Sequence, residues 1–480
     1  MHLFWHRRDL RVPDNRGLAA ATTDDTTLPV YVVDHDMLAR LGRRQRAFMI
    51  EGVRALKARY QELGGDLLIR EGPPAATLAR VAEEYDAEAV YYNHHYRPAR
   101  RHRQQQVDER LSTRCSIDLT LVDPADLAPS YPNHSQFHTD WQAEPKPTPA
   151  VVQTDALAAV DDETTIDDIP ISEEATVDDD APNPDTADSD PPSAGYDAAR
   201  DRYDSFLADG IETYNDTRDD MQAAVERPVG AVSRLSPYLA AGMIGVREVW
   251  ADATERYDAA DEDTAAKNAD GAAARNIEKY RYELSWREQN YHLLHYNPTL
   301  LTENYKSLPN RIAWKNDPDE IAAWKAGETG YPLVDAGMRQ LNQEGYIHNR
   351  PRQNVASFCT KHLLIDWRIG ARYFAEQLLD HDPANNYANW QWIASTGTDS
   401  VDVRIFDPVA QLSKYDANAD YVTEYVPELR GVEPAKVVEW PTLSAETRQR
   451  LGPEYPEPIV DRDAAYERAQ RVFETALGKR

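Results

Sequence analysis

At 480 residues the chain is long enough for two separate cores, so two domains and a join between them are expected. With 82 acidic against 53 basic residues the formal net charge is -29, and a nucleic-acid partner would have to be met by a local basic face. Two cysteines, Cys115 and Cys359, exclude a disulfide framework, a four-thiolate iron–sulfur cluster and a zinc ribbon; both read as reduced thiols, and no metal site is expected.

The first residues, Met-His-Leu-Phe-Trp, already carry a strand pattern with no charged leader ahead of them, and no apolar run approaches the roughly 20 residues of a membrane span. The expectation is a cytoplasmic monomer that makes no membrane contact. In chain order, Leu3–Trp5, Leu28–Val33, Asp66–Arg70, Ala89–Asn93 and Ile117–Val122 read as strands. Helical patterns fill about 44–63, 74–85 and 98–114, the first stopped by Gly64-Gly65. This alternation predicts an α/β domain over 1–141 with a parallel, Rossmann-like sheet. No glycine-rich dinucleotide or phosphate fingerprint follows any strand. The polar groups after the first and fourth strands, His6-Arg7-Arg8-Asp9 and Asn93-His94-His95-Tyr96-Arg97, are either loop caps or a small-chromophore or anion site.

Residues 142–195 are rich in Asp, Glu, Pro, Thr and Ala and nearly free of aromatics, which predicts an acidic, partly disordered linker. Acidic residues are also spread through both flanking regions, the pattern of a halophilic, solvated surface. From Tyr196 to residue 480 the pattern is all-helical and dense in aromatics, with a second acidic insertion, 258–270, expected as a surface excursion.

The residues that suggest chemistry lie in this second domain. Glu283, Trp286 and Arg287 share one helix face. Asn349, Arg352 and Gln353 share another, at the start of a helix that continues into Val355-Ala356-Ser357-Phe358. The stretch from Asp380 to Trp392 packs two acids, several Asn and two Trp into one loop-to-helix segment, a composition suited to a large heteroaromatic with many hydrogen-bonding edges. Upstream, Ser233-Arg234-Leu235-Ser236-Pro237 carries hydroxyl and guanidinium groups before a helix, parts that suit a diphosphate.

Taken in order, the blocks Ser233–Gly242, Glu283–Glu288, Gly330–Leu341, His348–Phe358, Leu363–Arg368 and Asp380–Asp399 resemble the photolyase/cryptochrome family. So does the opening Phe4-Trp5-His6-Arg7-Arg8-Asp9-Leu10-Arg11, and Asn389-Trp390-Gln391-Trp392-Ile393-Ala394-Ser395-Thr396-Gly397-Thr398-Asp399 carries the strongest likeness. The resemblance implies FAD held in the helical domain and light-driven repair of cyclobutane pyrimidine dimers in damaged DNA. It implies that Tyr214, Ser233, Arg234, Leu235 and Ser236 hold the phosphates and ribose, while Asn349, Arg352, Asp380, Asp382 and Asn386 line the isoalloxazine, with Arg352 paired to Asp380. Trp390, Trp367 and Trp314 match the family's electron-transfer chain, and Trp324 does not.

On the lesion side, Glu283 and Asn349 match hydrogen-bonding groups, and Trp286 and Trp392 match stacking rings. Arg287, Arg350, Gln353 and Arg404, with Lys361 and Lys414, are the expected DNA face. Two features depart from the dimer-repairing pattern. Gln353 stands where Met is usual, with flanks similar to DASH-type cryptochromes, and the loop Ser400–Arg404 lacks a Tyr-Phe pair. A cryptochrome-type photosensor with little repair is therefore the alternative. Ala99 and Arg100 replace the Asn-Glu pair of folate-binding relatives, so the antenna chromophore is expected to be a deazaflavin, or absent, rather than folate.

Overall fold

The computed structural model describes residues 1–170, 191–267, 271–398 and 403–479. Five parallel strands, β1 (His2–His6), β2 (Thr27–Val33), β3 (Leu68–Glu71), β4 (Ala89–Asn93) and β5 (Thr113–Ser116), form one sheet in the order β3-β2-β1-β4-β5. Helices α1 (Arg16–Asp24), α2 (Arg43–Glu62), α3 (Pro74–Glu84) and α4 (Pro98–Asp108) make the crossovers. β1 and β2 are buried along their whole length, as strands covered on both faces must be.

Alternate side chains serve two cores. Leu3, Trp5, Val30 and Val32 pack with Leu78 and Val81 of α3. Phe4, Tyr31 and Val33 pack with Phe48, Met49 and Val53 of α2, in a core that continues through Tyr203, Tyr238, Met243, Ile277 and Tyr280 of the second domain. The second domain is helical among the described residues. Its site-bearing helices are α6 (Val246–Lys267), α7 (Ala272–Tyr296), α8 (Asn349–Ser357), α9 (Trp367–Gln377) and α10 (Pro383–Ile393), and α5 (His134–Ala143) packs on α7 from the N-terminal side.

Four local expectations are corrected. The fifth strand is Thr113–Ser116, which shortens α4, whereas 117–122 runs beside the helical domain. There the N–H groups of Leu121 and Val122 donate to Glu288, and the carbonyls of Leu119 and Asp118 accept from Arg287 and Arg247. Backbone groups used by side chains in this way are not available to a neighbouring strand. Helix α1 was not expected; its signal was Asn15, whose side chain caps the Leu18 N–H at 3.1 Å. Residues 258–267 continue α6 rather than leaving it; 268–270 lie outside the described residues. In the expected linker, 142–170 is packed, burying Leu157, Ala158, Ile166 and Ile169, and Leu157 bridges to Thr27 beside the sheet. A few apolar residues suffice because the α/β domain supplies the other wall. The part of that linker from 171 to 190 lies outside the described residues.

The domains are tied by a buried charge cluster. Arg247 of α6 donates to Asp14 at 2.7 Å and to Asp118 at 2.6 Å, and Arg11 reaches Asp118 at 2.7 Å. Such groups stay ionised in the interior only with partners of this quality.

Candidate functional site

Two adjoining cavities lie among α7, α8 and α10. The smaller, about 250 Å³, is lined by Ser236, Tyr346, Arg352, Phe374, Asp380, Asn386 and Trp390, among others. The larger, about 360 Å³, is lined by Tyr214, Arg218, Lys279, Glu283, Trp286 and Arg287. Asn349, Gln353, Asn385, Asn389 and Trp392 line both. One wall of side chains from α8 and α10 therefore separates, and connects, the two spaces.

Local sequence explains how that wall is aimed. His348 caps α8, its ring nitrogen accepting from the Arg350 N–H at 3.2 Å; burial holds this imidazole down at about 3, so it stays neutral and able to accept. Asp382 caps α10 through the Asn385 N–H at 3.0 Å. In the smaller cavity Arg352 pairs with Asp380 at 3.1 Å, and the Ser236 hydroxyl donates to the same carboxylate at 2.8 Å. The Asn386 amide donates to the Ala371 carbonyl at 2.8 Å, which fixes the edge it turns to the cavity. Apolar walls with a few fixed polar groups are what a planar heteroaromatic requires.

In the larger cavity Glu283 is held by Lys279 at 2.7 Å and by Arg218. Trp286 and Trp392 are both partly exposed, and the Arg404 guanidinium lies over the Trp392 ring at 4.8 Å. Arg350 donates to Asp219 at 2.6 Å and to Gln353 at 3.0 Å, and stacks over Tyr415 at 4.2 Å.

Several expected residues sit elsewhere. Asp382 lines neither cavity: besides its capping bond it accepts from Tyr291 at 2.7 Å and faces Arg8 at 3.4 Å. The Leu235 side chain is core, so only its backbone could hold a ligand. Ser233 and Arg234 also stand off the cavity walls; Arg234 pairs with Glu344 at 2.9 Å, lies over Tyr346 and has a left-handed backbone (φ 46). Arg287 reaches the larger cavity, but its guanidinium is committed to the Leu119 carbonyl at 2.8 Å and to the face of Tyr291. Lys361 is removed from the DNA face altogether: it is fully buried, donates to Ser395 at 2.8 Å and lies over Phe473, and burial drives its pKa well down. Lys414 is exposed beside Tyr415. Of the loop Ser400–Arg404, residues 400–402 lie outside the described residues. Asn385, Asn389, Tyr346 and Phe374 line the cavities without having been given a role; the two Asn share one face of α10 (i, i+4) within the Asn-rich segment, whereas the two aromatics gave no signal distinct from core.

The tryptophans grade from core to surface. Trp390 and Trp367 are buried and Trp314 is partly exposed. The outer edge of the Trp390 ring packs against Gly370, where a Cβ would meet it at 2.3 Å, and Trp367 is one turn from Gly370 on α9. Trp324 also packs edge-on to Trp390, at 6.0 Å between centroids.

A third, tight cavity of about 30 Å³ lies beyond β1 and β2, lined by Trp5, His6, Arg7, Tyr31, Asp34, Arg100 and Arg103 among others. Arg7 and Arg100 are buried there, and burial lowers both pKa values, with Arg8, Arg7 and Arg97 adding repulsion at Arg100. Buried like charges of this kind favour an anionic neighbour. Arg100, at one of the two positions where folate-binding relatives carry Asn-Glu, offers a donor where a carboxylate would accept.

Comparison with known proteins agrees with this geometry. The family model described as FAD binding domain of DNA photolyase matches residues 280–475, and that described as DNA photolyase matches 2–152. A deoxyribodipyrimidine photo-lyase of Halobacterium salinarum is 40% identical, with 100% of both chains covered. One from Synechococcus is 34% identical over 98% of this chain and 96% of its own. The crystal structure of a bacterial class III photolyase from Agrobacterium tumefaciens superposes with a TM-score of 0.84 at 32% identity, covering 100% of this chain and 98% of that one.

Proposed function

The chain belongs to the DNA photolyase family and is a light-driven DNA-repair flavoprotein that binds FAD, and we propose that its lesion is the cyclobutane pyrimidine dimer, split by electron transfer from reduced FAD. The observation that carries the proposal is the shared wall: Asn349, Gln353, Asn385, Asn389 and Trp392 border both cavities, so a lesion in one lies against a flavin in the other. FAD, when bound, supplies the light-excitable electron donor.

The side chains then have distinct tasks. Arg352, Asp380, Ser236 and Asn386 form the polar wall of the flavin space, and the Arg352 charge favours an anionic ring beside it. Trp286 and Trp392 offer flat faces to unstacked bases, and a dimer, being damaged, leaves the duplex at lower cost than intact bases. Glu283, fixed by Lys279 and Arg218, presents a carboxylate that accepts from base N–H groups. Arg404 and Arg350 at the rim meet phosphate, with Arg287 backing the cavity wall. Trp390, Trp367 and Trp314 carry electrons from the surface to the flavin. Among the described residues no helix is long and apolar enough to cross a membrane.

The test is illumination of the FAD-loaded protein with a thymine-dimer oligonucleotide. Dimers should disappear under blue light and persist in the dark. If the flavin is photoreduced while the dimers remain, the repair reading fails and the photosensor reading replaces it.

A further inference from the structure

His134 lies outside the helical domain's own sequence, at the start of α5, yet its imidazole is stacked on Trp286 with 3.6 Å between ring centroids and 5° between planes. Trp286 thus has one face covered by His134, while the side chain also lines the larger cavity. His134 is itself 2% exposed.

Both nitrogens of the imidazole are tied to α7, the helix that bears Trp286. The Tyr282 hydroxyl is 2.9 Å from Nδ1 and the Ser285 hydroxyl 3.0 Å from Nε2. Ser285 donates its own proton to the Tyr282 carbonyl at 2.7 Å, so at the ring it can only accept. His134 is therefore the tautomer that donates from Nε2 and accepts the Tyr282 hydroxyl at Nδ1. His138 adds a further contact to Ser285 at 2.9 Å. Burial first, then the charges of His138 and Lys279, hold the His134 pKa down at about 3, so the ring keeps its Nδ1 acceptor at neutral pH. The plane of the imidazole is fixed by residues four and one positions before Trp286, and that plane fixes the indole.

We propose that His134 is a positioning residue, supplied by the N-terminal side of the chain, that holds the Trp286 indole in the plane in which it stacks on an unstacked pyrimidine dimer. The inference rests on the reading of Trp286 as a lesion-stacking ring. Orienting the indole before the lesion arrives removes an ordering cost from binding. A purely space-filling role would be met by any side chain of similar size.

The test compares His134→Leu, which fills the space without stacking, His134→Phe, which keeps a flat ring, and Trp286→Ala. Affinities for a thymine-dimer oligonucleotide and for its intact counterpart are measured on the FAD-loaded proteins. His134→Leu should lower the preference for the dimer by roughly three- to tenfold, leaving affinity for intact DNA and flavin content unchanged. His134→Phe keeps a flat ring but loses the bonds to Tyr282 and Ser285, and should recover only part of the preference. If Trp286→Ala loses the preference while His134→Leu keeps it, the positioning role is wrong and the stacking role of Trp286 stands. If His134→Leu weakens dimer and intact DNA equally, the contact is structural and the proposal is also wrong. If Trp286→Ala keeps full preference, the reading of Trp286 falls and takes the proposal with it.

Discussion

Arg352 donates to Asp380 at 3.1 Å across the wall of the smaller cavity, and the two differ in exposure: the arginine side chain is 30% exposed and the carboxylate 4%. The carboxylate depends on the pair more than the guanidinium does. Arg352→Ala leaves Asp380 with the Ser236 hydroxyl alone, and removing one partner of a buried pair is costly, here about 2–3 kcal/mol given the exposure of the arginine. The purified variant should retain at least tenfold less flavin, read from the ratio of flavin to protein absorbance. Full flavin content would remove Arg352 from the cofactor wall.

Gly370 is the place where the Trp390 indole meets the backbone of α9, and an added Cβ would lie 2.3 Å from the ring. Gly370→Ala must displace Trp390 or the helix, a strain of about 1–3 kcal/mol. Flavin photoreduction should slow at least tenfold, whereas repair by chemically reduced enzyme should fall much less. Trp314→Phe should separate the same two activities without the strain. Transient absorption of the flavin checks both, and unchanged photoreduction in Trp314→Phe would mean that electrons arrive by another route.

Asp219 holds Arg350 at 2.6 Å, and in the proposed reading it competes with DNA for that guanidinium. Asp219→Asn should strengthen binding to damaged and intact duplexes alike, by roughly two- to fivefold at low salt, and Arg350→Ala should weaken both. Binding titrations at two salt concentrations decide the matter. If neither substitution changes affinity, Arg350 belongs to the interior network only.

Glu288 is buried where the helical domain meets residues 119–122, and burial, opposed by Arg287 and by the Val122 and Leu121 N–H groups, raises its pKa to about 7. A carboxyl with a raised folded pKa binds its proton more tightly in the native state, so stability falls as pH rises from the unfolded value, near 4.5, through about 7. Glu288→Gln lacks this dependence. The thermal midpoint of the variant relative to the parent should be higher at pH 8 than at pH 5, by an amount worth on the order of 1–3 kcal/mol. An equal difference at both pH values would mean that Glu288 is not the titrating group.

How much of this was legible in the sequence depended on whether the signal was local. Strands β1, β2 and β4 alternate or run apolar over their own length, and their neighbours are set by the βαβ rule. The segment 117–122 has the same apolar content, but its hydrogen-bond partners, Glu288, Arg287 and Arg247, are more than a hundred residues away, and no local pattern reports them. Residues 142–170 read as a linker for the same reason: Leu157 and Ile166 are too few to make a core, yet enough to complete one. In the site, Glu283, Trp286, Asn349 and Arg352 follow from helical spacing, Asp380 and Asn386 from the composition of one loop-to-helix segment, and all six reach the cavity walls. Asp382 and Lys361 do not, because a capping carboxylate and a buried lysine look from the sequence like any other polar residue near a motif. The contact between His134 and Trp286 joins elements about 150 residues apart and was invisible until the fold brought α5 onto α7.

Two cavities share one wall, and the fluorescence lifetime of the reduced flavin tests its role most directly. Addition of a thymine-dimer oligonucleotide should shorten the lifetime, because a dimer across the Asn349–Gln353–Trp392 wall accepts the excited electron, and the intact oligonucleotide should leave it unchanged. A lifetime that stays the same when the protein is saturated with bound dimer would contradict the account.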